Sequence, residues 1–268
     1  MTSKKNKALG QHFIRKSFIL RKIIHCISPQ PEDLIIEIGA GKGALTFPLA
    51  QKAGNVIAVE KDKTLIPYLE NNSFTNLRII NKDVLNIDFN ELLHKEKKEV
   101  NQVKIVGNLP YSISSPILFK LLASKDRFSE SIFLLQKEVA ERIASQPGSK
   151  KYSALSIFFQ LFFIIKIHFK LSPKWFSPPP KVESVLISFK KREKPLFPIV
   201  NEDKFHNFLK ISFQHRRKTL FNNLKTMNFS SSLINKAYTE IGIKFNCRAE
   251  QLTISQFFQL YKFLTFMK

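Results

Sequence analysis

The sequence predicts an α/β fold: a mostly parallel sheet with helices on both faces, followed by a small C-terminal α-helical domain. Two features predict it. Short apolar runs alternate with helical periodicity through most of the chain, as in a parallel sheet buried on both sides. Beyond residue 198 the apolar period is helical throughout. The first run, residues 34–38 (LIIEI), ends in the glycine-rich Gly39-Ala40-Gly41-Lys42-Gly43, and a helical pattern follows through Leu45, Leu49 and Ala50. The second, residues 55–59, ends at Glu60; the third, residues 77–80, ends near Asp83. Residues 103–106 run into Gly107 and Asn108, and residues 131–135 end near Gln136. Residues 158–171 and 184–189 are read as the last two strands, an antiparallel pair flanking the cluster Phe176-Ser177-Pro178-Pro179-Pro180.

Charges and two prolines at residues 190–198 break the pattern, which places a domain boundary there: residues 1–192 form the sheet domain and 193–268 the helical one. In the second, Phe205, Phe208, Leu209, Ser212, Phe213, Leu220 and Leu224 fit one helical face. Thr253 to Gln256 reads as a capping box opening a helix whose stripe is Phe257, Leu260, Tyr261 and Leu264.

The net charge of +22 on 268 residues implies a polyanionic partner, most simply nucleic acid or the ribosome. The charge is uneven. Residues 1–31 hold seven Lys or Arg and no acid; residues 191–268 hold 14 basic and 5 acidic residues. Cys26 and Cys247 are the two cysteines, far apart, with neither metal spacing nor a disulfide framework, so no metal is expected and the compartment reads as reducing. No apolar signal core follows the basic start, and the longest apolar run, residues 158–169, contains Lys166 and is too short to span a bilayer. A cytoplasmic protein is expected.

Ligands of such sheets bind at the carboxyl ends of the strands, where all the candidate polar residues fall. Gly39-x-Gly41-x-x-Ala44, with Glu60 about twenty residues on, satisfies a loose dinucleotide fingerprint. Glu37, two positions before the first glycine, argues against a pyrophosphate, because like charges in a partly buried site are costly. S-adenosylmethionine carries an ammonium and a sulfonium and welcomes that carboxylate. Glu60 can accept the ribose hydroxyls and Asp83 the adenine amino group. Three acids at successive strand ends suit a cationic nucleoside.

The segment Asn108-Leu109-Pro110-Tyr111 then acquires a chemical role. An exocyclic adenine amine is a poor nucleophile because its lone pair is delocalised into the ring. Two acceptors holding its hydrogens pull the nitrogen towards tetrahedral geometry. The Asn108 side-chain carbonyl is one; a backbone carbonyl at Leu109 or Pro110, aimed by the rigid proline, is the other. Tyr111 offers a ring for the base to stack on. No general base of shifted pKa is required, and positioning plus hydrogen bonding to the developing ammonium does the work.

With these motifs in hand, the chain resembles the ribosomal RNA adenine N6-dimethyltransferase family, in particular its small-subunit (16S) branch. The likeness runs from residues 9–13 (LGQHF) through EIGAG, GNLPY, LQKEV, FSPPPKVESV and FQHRRKTL to Arg248-Ala249-Glu250, nearly the whole chain. It implies a Rossmann-like, S-adenosylmethionine-dependent methyltransferase fold with an antiparallel last strand. It also implies that His12 and Ile14 line the cofactor pocket, that Gly39 and Gly41 approach the methionine end, and that Phe176 stacks on the target base opposite Tyr111. The implied product is two adjacent N6,N6-dimethyladenosines in a hairpin loop near the 3′ end of 16S rRNA in the immature small subunit, made by a monomer in four transfers. The family usually has Asn where this chain has His12, and often Pro at Ala40.

Arg216, Arg217 and Lys218, placed on the exposed face of an amphipathic helix, are candidate RNA phosphate contacts. The alternatives are a large-subunit rRNA methyltransferase of the antibiotic-resistance type, disfavoured by the proline cluster and C-terminal helices, and a non-catalytic assembly factor, disfavoured by the intact residues 108–111. An NAD-dependent oxidoreductase is disfavoured by Glu37 and the charge.

Overall fold

The computed structural model describes residues 12–95 and 102–266. Nine strands are present among them: β1 (Phe13–Ile14), β2 (Asp33–Ile38), β3 (Asn55–Glu60), β4 (Leu77–Asn81), β5 (Gln102–Asn108), β6 (Glu130–Gln136), β7 (Phe163–Leu171), β8 (Phe176–Ser177) and β9 (Ser184–Lys191). Seven make one sheet in the order β4-β3-β2-β5-β6-β9-β7, and β1 pairs with β8 in a separate two-stranded ribbon. Strands β2 to β6 run parallel to one another, and β9 runs antiparallel to β6. The helices are α1 (Ser17–Ile27), α2 (Thr46–Ala50), α3 (Ile66–Glu70), α4 (Phe89–Lys95), α5 (Ser114–Ala123), α6 (Lys137–Ile143), α7 (Ala154–Phe162), α8 (Glu202–Ser212), α9 (Leu220–Lys225), α10 (Ser231–Ile241) and α11 (Ile254–Phe266). This is the Rossmann-like α/β architecture expected.

All six residues of β2 are buried, as a central strand covered on both faces requires. Strand order reverses between β2 and β5, and the crevice at such a switch point is where α/β sheets take ligands. Register sharpens this. Ile38 pairs with Val59 on one side and Gly107 on the other. The next residues, Gly39, Glu60 and Asn108, therefore leave the sheet in one row, Glu60 and Asn108 two strand spacings or roughly 10 Å apart. Gly107 is required here, because a Cβ would lie 2.4 Å from the Ile38 carbonyl oxygen. Gly39 turns with φ +76°, a conformation side chains other than glycine resist.

The chain divides into two compact units, each discontinuous in sequence: residues 1–140 with 165–191, and residues 141–164 with 192–268. The sequence reading set one boundary at 192/193 and gave residues 141–164 to the sheet domain; the second unit instead includes them. Residues 158–162, for which the apolar run predicts strand, are helical. Ser153 caps α7 with a reciprocal Ser153–Ser156 box, and the buried Ile157, Phe158, Leu161 and Phe162 follow helical spacing. Only from Phe163 does the chain extend, with residues 164–170 of β7 carrying several exposed side chains at the sheet edge.

The core of the first unit joins the inner face of α1 (Ile19, Ile23, Ile24, Ile27) to Ile35, Val106, Ile132, Leu134 and Leu186 of the sheet. In the second, Phe205 and Phe208 of α8 pack on Tyr261 of α11, ring centroids 5.1 and 5.5 Å apart. The Thr253 capping box is present: Thr253 N donates to Gln256 Oε1 (3.0 Å) and Gln256 N to Thr253 Oγ1 (3.2 Å). No helix among the described residues is long and apolar enough to cross a membrane.

Candidate active site

A cavity of about 270 Å³ opens in the first unit at the carboxyl ends of the strands. It is lined by His12, Gly39, Gly41, Glu60, Asp83, Asn108, Leu109, Pro110 and Tyr111, nine of the positions singled out from sequence. Phe13, Ile38, Val59, Lys61, Lys82, Val84, Ser112 and Ile113 complete it. Of these added residues, the lysines adjoin the acids Glu60 and Asp83 in sequence; the apolar ones carried no local signal.

Glu60, the last residue of β3, is oriented by two backbone donors: Gly41 N to one carboxylate oxygen and Asp62 N to the other, both 2.8 Å. A carboxylate fixed in this way keeps lone pairs for a ligand's hydroxyls. Asp83 accepts from Leu85 N at 3.0 Å and pairs with Lys61 Nζ at 2.8 Å. The hydrogen bond from Lys61 is the main cause of its depressed pKa, so it stays ionised.

Glu37 corrects the sequence reading. It does not line the cavity. It is buried, Thr46 Oγ1 donates to it at 2.6 Å, and desolvation pushes its pKa up to about 8. The group is therefore largely neutral at neutral pH, and the negative face of the cavity comes from Glu60 and Asp83. The reason is that β2 is covered on both faces, so every one of its residues is buried, Glu37 included.

Asn108, the last residue of β5, donates its Nδ2 to the His12 carbonyl oxygen at 2.6 Å. That bond fixes the amide's orientation and leaves Oδ1 as its remaining acceptor. Leu109 N is tied to Leu134 O at 3.3 Å, and Pro110 (φ −57°, ψ 129°) turns the chain into residues 111–113. The Tyr111 hydroxyl meets Ser184 Oγ at 2.5 Å, and partial burial raises its pKa, which keeps it neutral. Its ring lies 5.4 Å from the His12 imidazole, tilted by 34°. His12 Nδ1 lies 2.7 Å from the Pro178 carbonyl; since a carbonyl only accepts, Nδ1 carries the proton.

Ile14 and Phe176 fall elsewhere than expected. They pair directly in the β1–β8 ribbon, and both join the hydrophobic core. Alternation along β1 sends Phe13 to the cavity, where its ring underlies Gly41, and Ile14 to the core. Phe176, opposite Ile14, shares the core side and is 3% exposed, so its ring is not a free face for a base.

In the second unit, Arg216, Arg217 and Lys218 are not on a helix. α8 ends at Ser212, and residues 213–219 form an exposed turn before α9. Asn223 Nδ2 holds the turn by donating to the carbonyls of Ser212 (2.8 Å) and His215 (3.3 Å), and Thr219 caps α9. Arg216 is also committed: its Nη2 donates to the carbonyls of Lys150 (2.5 Å) and Tyr152 (3.2 Å). Arg217 and Lys218 remain exposed. Among the described residues no cluster of His, Cys, Asp or Glu is arranged for a metal, and Cys26 and Cys247 are free thiols.

The sheet order, the glycine turn and the acid-lined cavity define the class, an S-adenosylmethionine-dependent methyltransferase. The structure is similar to a dimethyladenosine transferase from Plasmodium falciparum (TM-score 0.79, 27% identity, 93% of this chain and 96% of that one). It shares the fold of the 23S rRNA methyltransferase ErmE (TM-score 0.70, 21% identity, 94% and 99% covered). Relatives called ribosomal RNA small subunit methyltransferase A include one from Geobacter metallireducens, 40% identical over 94% of this chain and 92% of its own length. Another, from Xylella fastidiosa, is 40% identical over 95% and 94%. The ribosomal RNA adenine dimethylase profile matches residues 2–265, and the chain belongs to that family. It is an S-adenosylmethionine-dependent rRNA adenine dimethyltransferase.

Proposed function

We propose that the chain dimethylates N6 of two adjacent adenosines in the hairpin loop near the 3′ end of 16S rRNA, within the immature small ribosomal subunit, acting as a cytoplasmic monomer in ribosome biogenesis. The observation that carries the catalytic part is the Asn108 amide. Its nitrogen is committed to His12 O, so its oxygen is the acceptor offered at the cavity beside Glu60. The small-subunit target is supported by relatives of that name at 40% identity over nearly the full chain.

S-adenosylmethionine, when bound, supplies an electrophilic methyl on a sulfonium. Glu60 would hold ribose hydroxyls with the lone pairs its backbone donors leave, and Asp83 would accept from the adenine amine of the cofactor. Asn108 Oδ1 and the Leu109 or Pro110 carbonyl each accept one hydrogen of the target amine, which localises its lone pair. As the N–CH3 bond forms and the S–CH3 bond breaks, S-adenosylhomocysteine would leave as a neutral thioether, positive charge would grow on N6, and both acceptors would bind the developing ammonium more strongly than the neutral amine. The proton then leaves to solvent. Tyr111, held by Ser184 and neutral, supplies the stacking face. Arg217 and Lys218 contact RNA phosphate, whereas Arg216 shapes the turn that presents them.

The experiment is transfer of labelled methyl from S-adenosylmethionine to small subunits lacking the modification, beside Asn108→Ala, with the label then mapped. Label on two adjacent adenosines near the 3′ end, lost in the variant, is expected. Label on large-subunit RNA, or equal label in the variant, overturns the reading.

A further inference from the structure

The outer face of α1 is unused by the site described above. Ile19, Ile23, Ile24 and Ile27 face the core, whereas Phe18, Arg21 and Lys22 recur at helical spacing on the exposed side. Phe18 is 41% exposed, although the core begins one residue away at Ile19. Its ring meets Trp175 edge-on, centroids 5.9 Å apart. The two segments are tied by the Arg15 N to Trp175 O hydrogen bond at 3.0 Å. Trp175 itself is only partly buried against the core.

The charge around the pair has one sign. Arg15, Arg21, Lys22 and Lys174 are all exposed. No Asp or Glu occurs from residue 12 to 31 or from 165 to 182. Among the described residues no acid pairs with any of these four cations. Basic side chains around an exposed aromatic pair form the kind of surface that takes a nucleic acid strand, with phosphates on the cations and an unpaired base on the ring. The patch also starts beside the cavity: His12 and Phe13 line it, and Arg15 is three residues from His12, at most about 11 Å along an extended chain.

We propose that this face of α1, with Lys174 and Trp175, is a second RNA contact of the enzyme: it grips the strand flanking the target adenosines, stacking an unpaired base on Phe18, whose ring Trp175 buttresses edge-on. The inference rests on the small-subunit reading above. It is tested with full-length protein and unmodified small ribosomal subunits, measuring Kd from about 50 to about 200 mM KCl. Arg21→Ala/Lys22→Ala is expected to lower the log–log salt slope by about 1.5. Phe18→Ser is expected to weaken binding about tenfold at every salt concentration without changing the slope. Phe18→Tyr, which keeps a ring, restores it, and S-adenosylmethionine binding is unchanged in all three. Wild-type Kd and slope in the charge and Ser variants, from an enzyme that does methylate small subunits, overturn this surface alone. So does a Phe18→Tyr protein as weak as Phe18→Ser. A wild-type enzyme that transfers no methyl to small subunits overturns the underlying reading first, and this surface with it.

Discussion

The two ends of the central sheet treat polar groups in opposite ways. At the amino end, Lys104 of β5 is 6% exposed and directs its three N–H donors at three acceptors: Asp33 Oδ2 (2.7 Å), Ser28 O (2.9 Å) and Ile27 O (3.3 Å). Asp33 takes a further bond from Gln30 N at 2.8 Å. All three lysine donors are used, and the ion pair is buried away from the cavity. At the carboxyl end of the same strand, Asn108 spends one of its two N–H donors on His12 O and keeps its acceptor, and Glu60 is oriented by backbone rather than neutralised by a cation. The closed end fixes the sheet; the open end holds acceptors in place without satisfying them. Preorganisation of this kind is what catalysis by positioning needs.

The sharpest way to break the contrast is to open the closed end. Lys104→Met leaves Asp33 buried without its cation, and Asp33→Ala does the converse; each is expected to cost about 3–5 kcal/mol in chemical denaturation. The Lys104→Met/Asp33→Leu double variant should recover most of that loss, because an apolar pair of similar volume replaces the ions. Activity per folded molecule should stay near wild type in all three. A single variant of wild-type stability would show that the closed end does not hold the sheet.

Asn108→Ala makes the opposite test. Methyl transfer to unmodified small subunits should fall about 10²- to 10³-fold, the usual cost of one lost transition-state hydrogen bond. S-adenosylmethionine affinity and melting temperature should change little. A variant that loses cofactor binding and activity in parallel would make Asn108 a binding group rather than a catalytic one.

This contrast was half legible in sequence. The strands, the glycine turn and the residues at their carboxyl ends follow from apolar runs and what terminates them, so Gly39, Glu60, Asp83 and residues 108–111 were readable. The buried Lys104 was not, since a lone lysine within an apolar run carries no sign of an acid 71 residues away in the chain. Glu37 was misjudged for a related reason: position relative to the glycines is local, but its solvation is set by both sheet neighbours. Phe176 followed the short pairing of β8 with β1, a long-range register that periodicity does not encode. For Arg216 to Lys218 the sequence predicts a helix because helical spacing persists across the turn, while the break depends on Asn223 capping carbonyls 8 and 11 residues earlier.

Glu37 sits between the two regimes, buried like Lys104 but without a cation. A carboxyl with a raised pKa keeps its proton in the folded chain after the unfolded chain has lost it. Stability therefore declines as pH rises from about 4.5 to about 8, by at most ~1.4 kcal/mol per unit, and the decline ends above about 8. Glu37→Gln, which mimics the neutral form and can still meet Thr46, should remove that slope and be the more stable protein at pH 8. Parallel pH profiles for the two proteins would show that Glu37 is ionised in the fold, and that the open end has three charged acids after all.

The smallest expected effect separates the stacking ring from its tether. Tyr111→Phe keeps the ring and removes the hydroxyl that meets Ser184 Oγ. A neutral hydrogen bond of this kind contributes about 0.5–1.5 kcal/mol, so the melting temperature should fall by a few degrees at most. If the tether serves to hold the ring against the target base, KM for unmodified subunits should rise several-fold while S-adenosylmethionine affinity stays put. An effect on cofactor affinity instead would place the Tyr111 ring on the cofactor side of the cavity. Residues 108–111 would then have to be divided, with Asn108 serving the base and Tyr111 the donor.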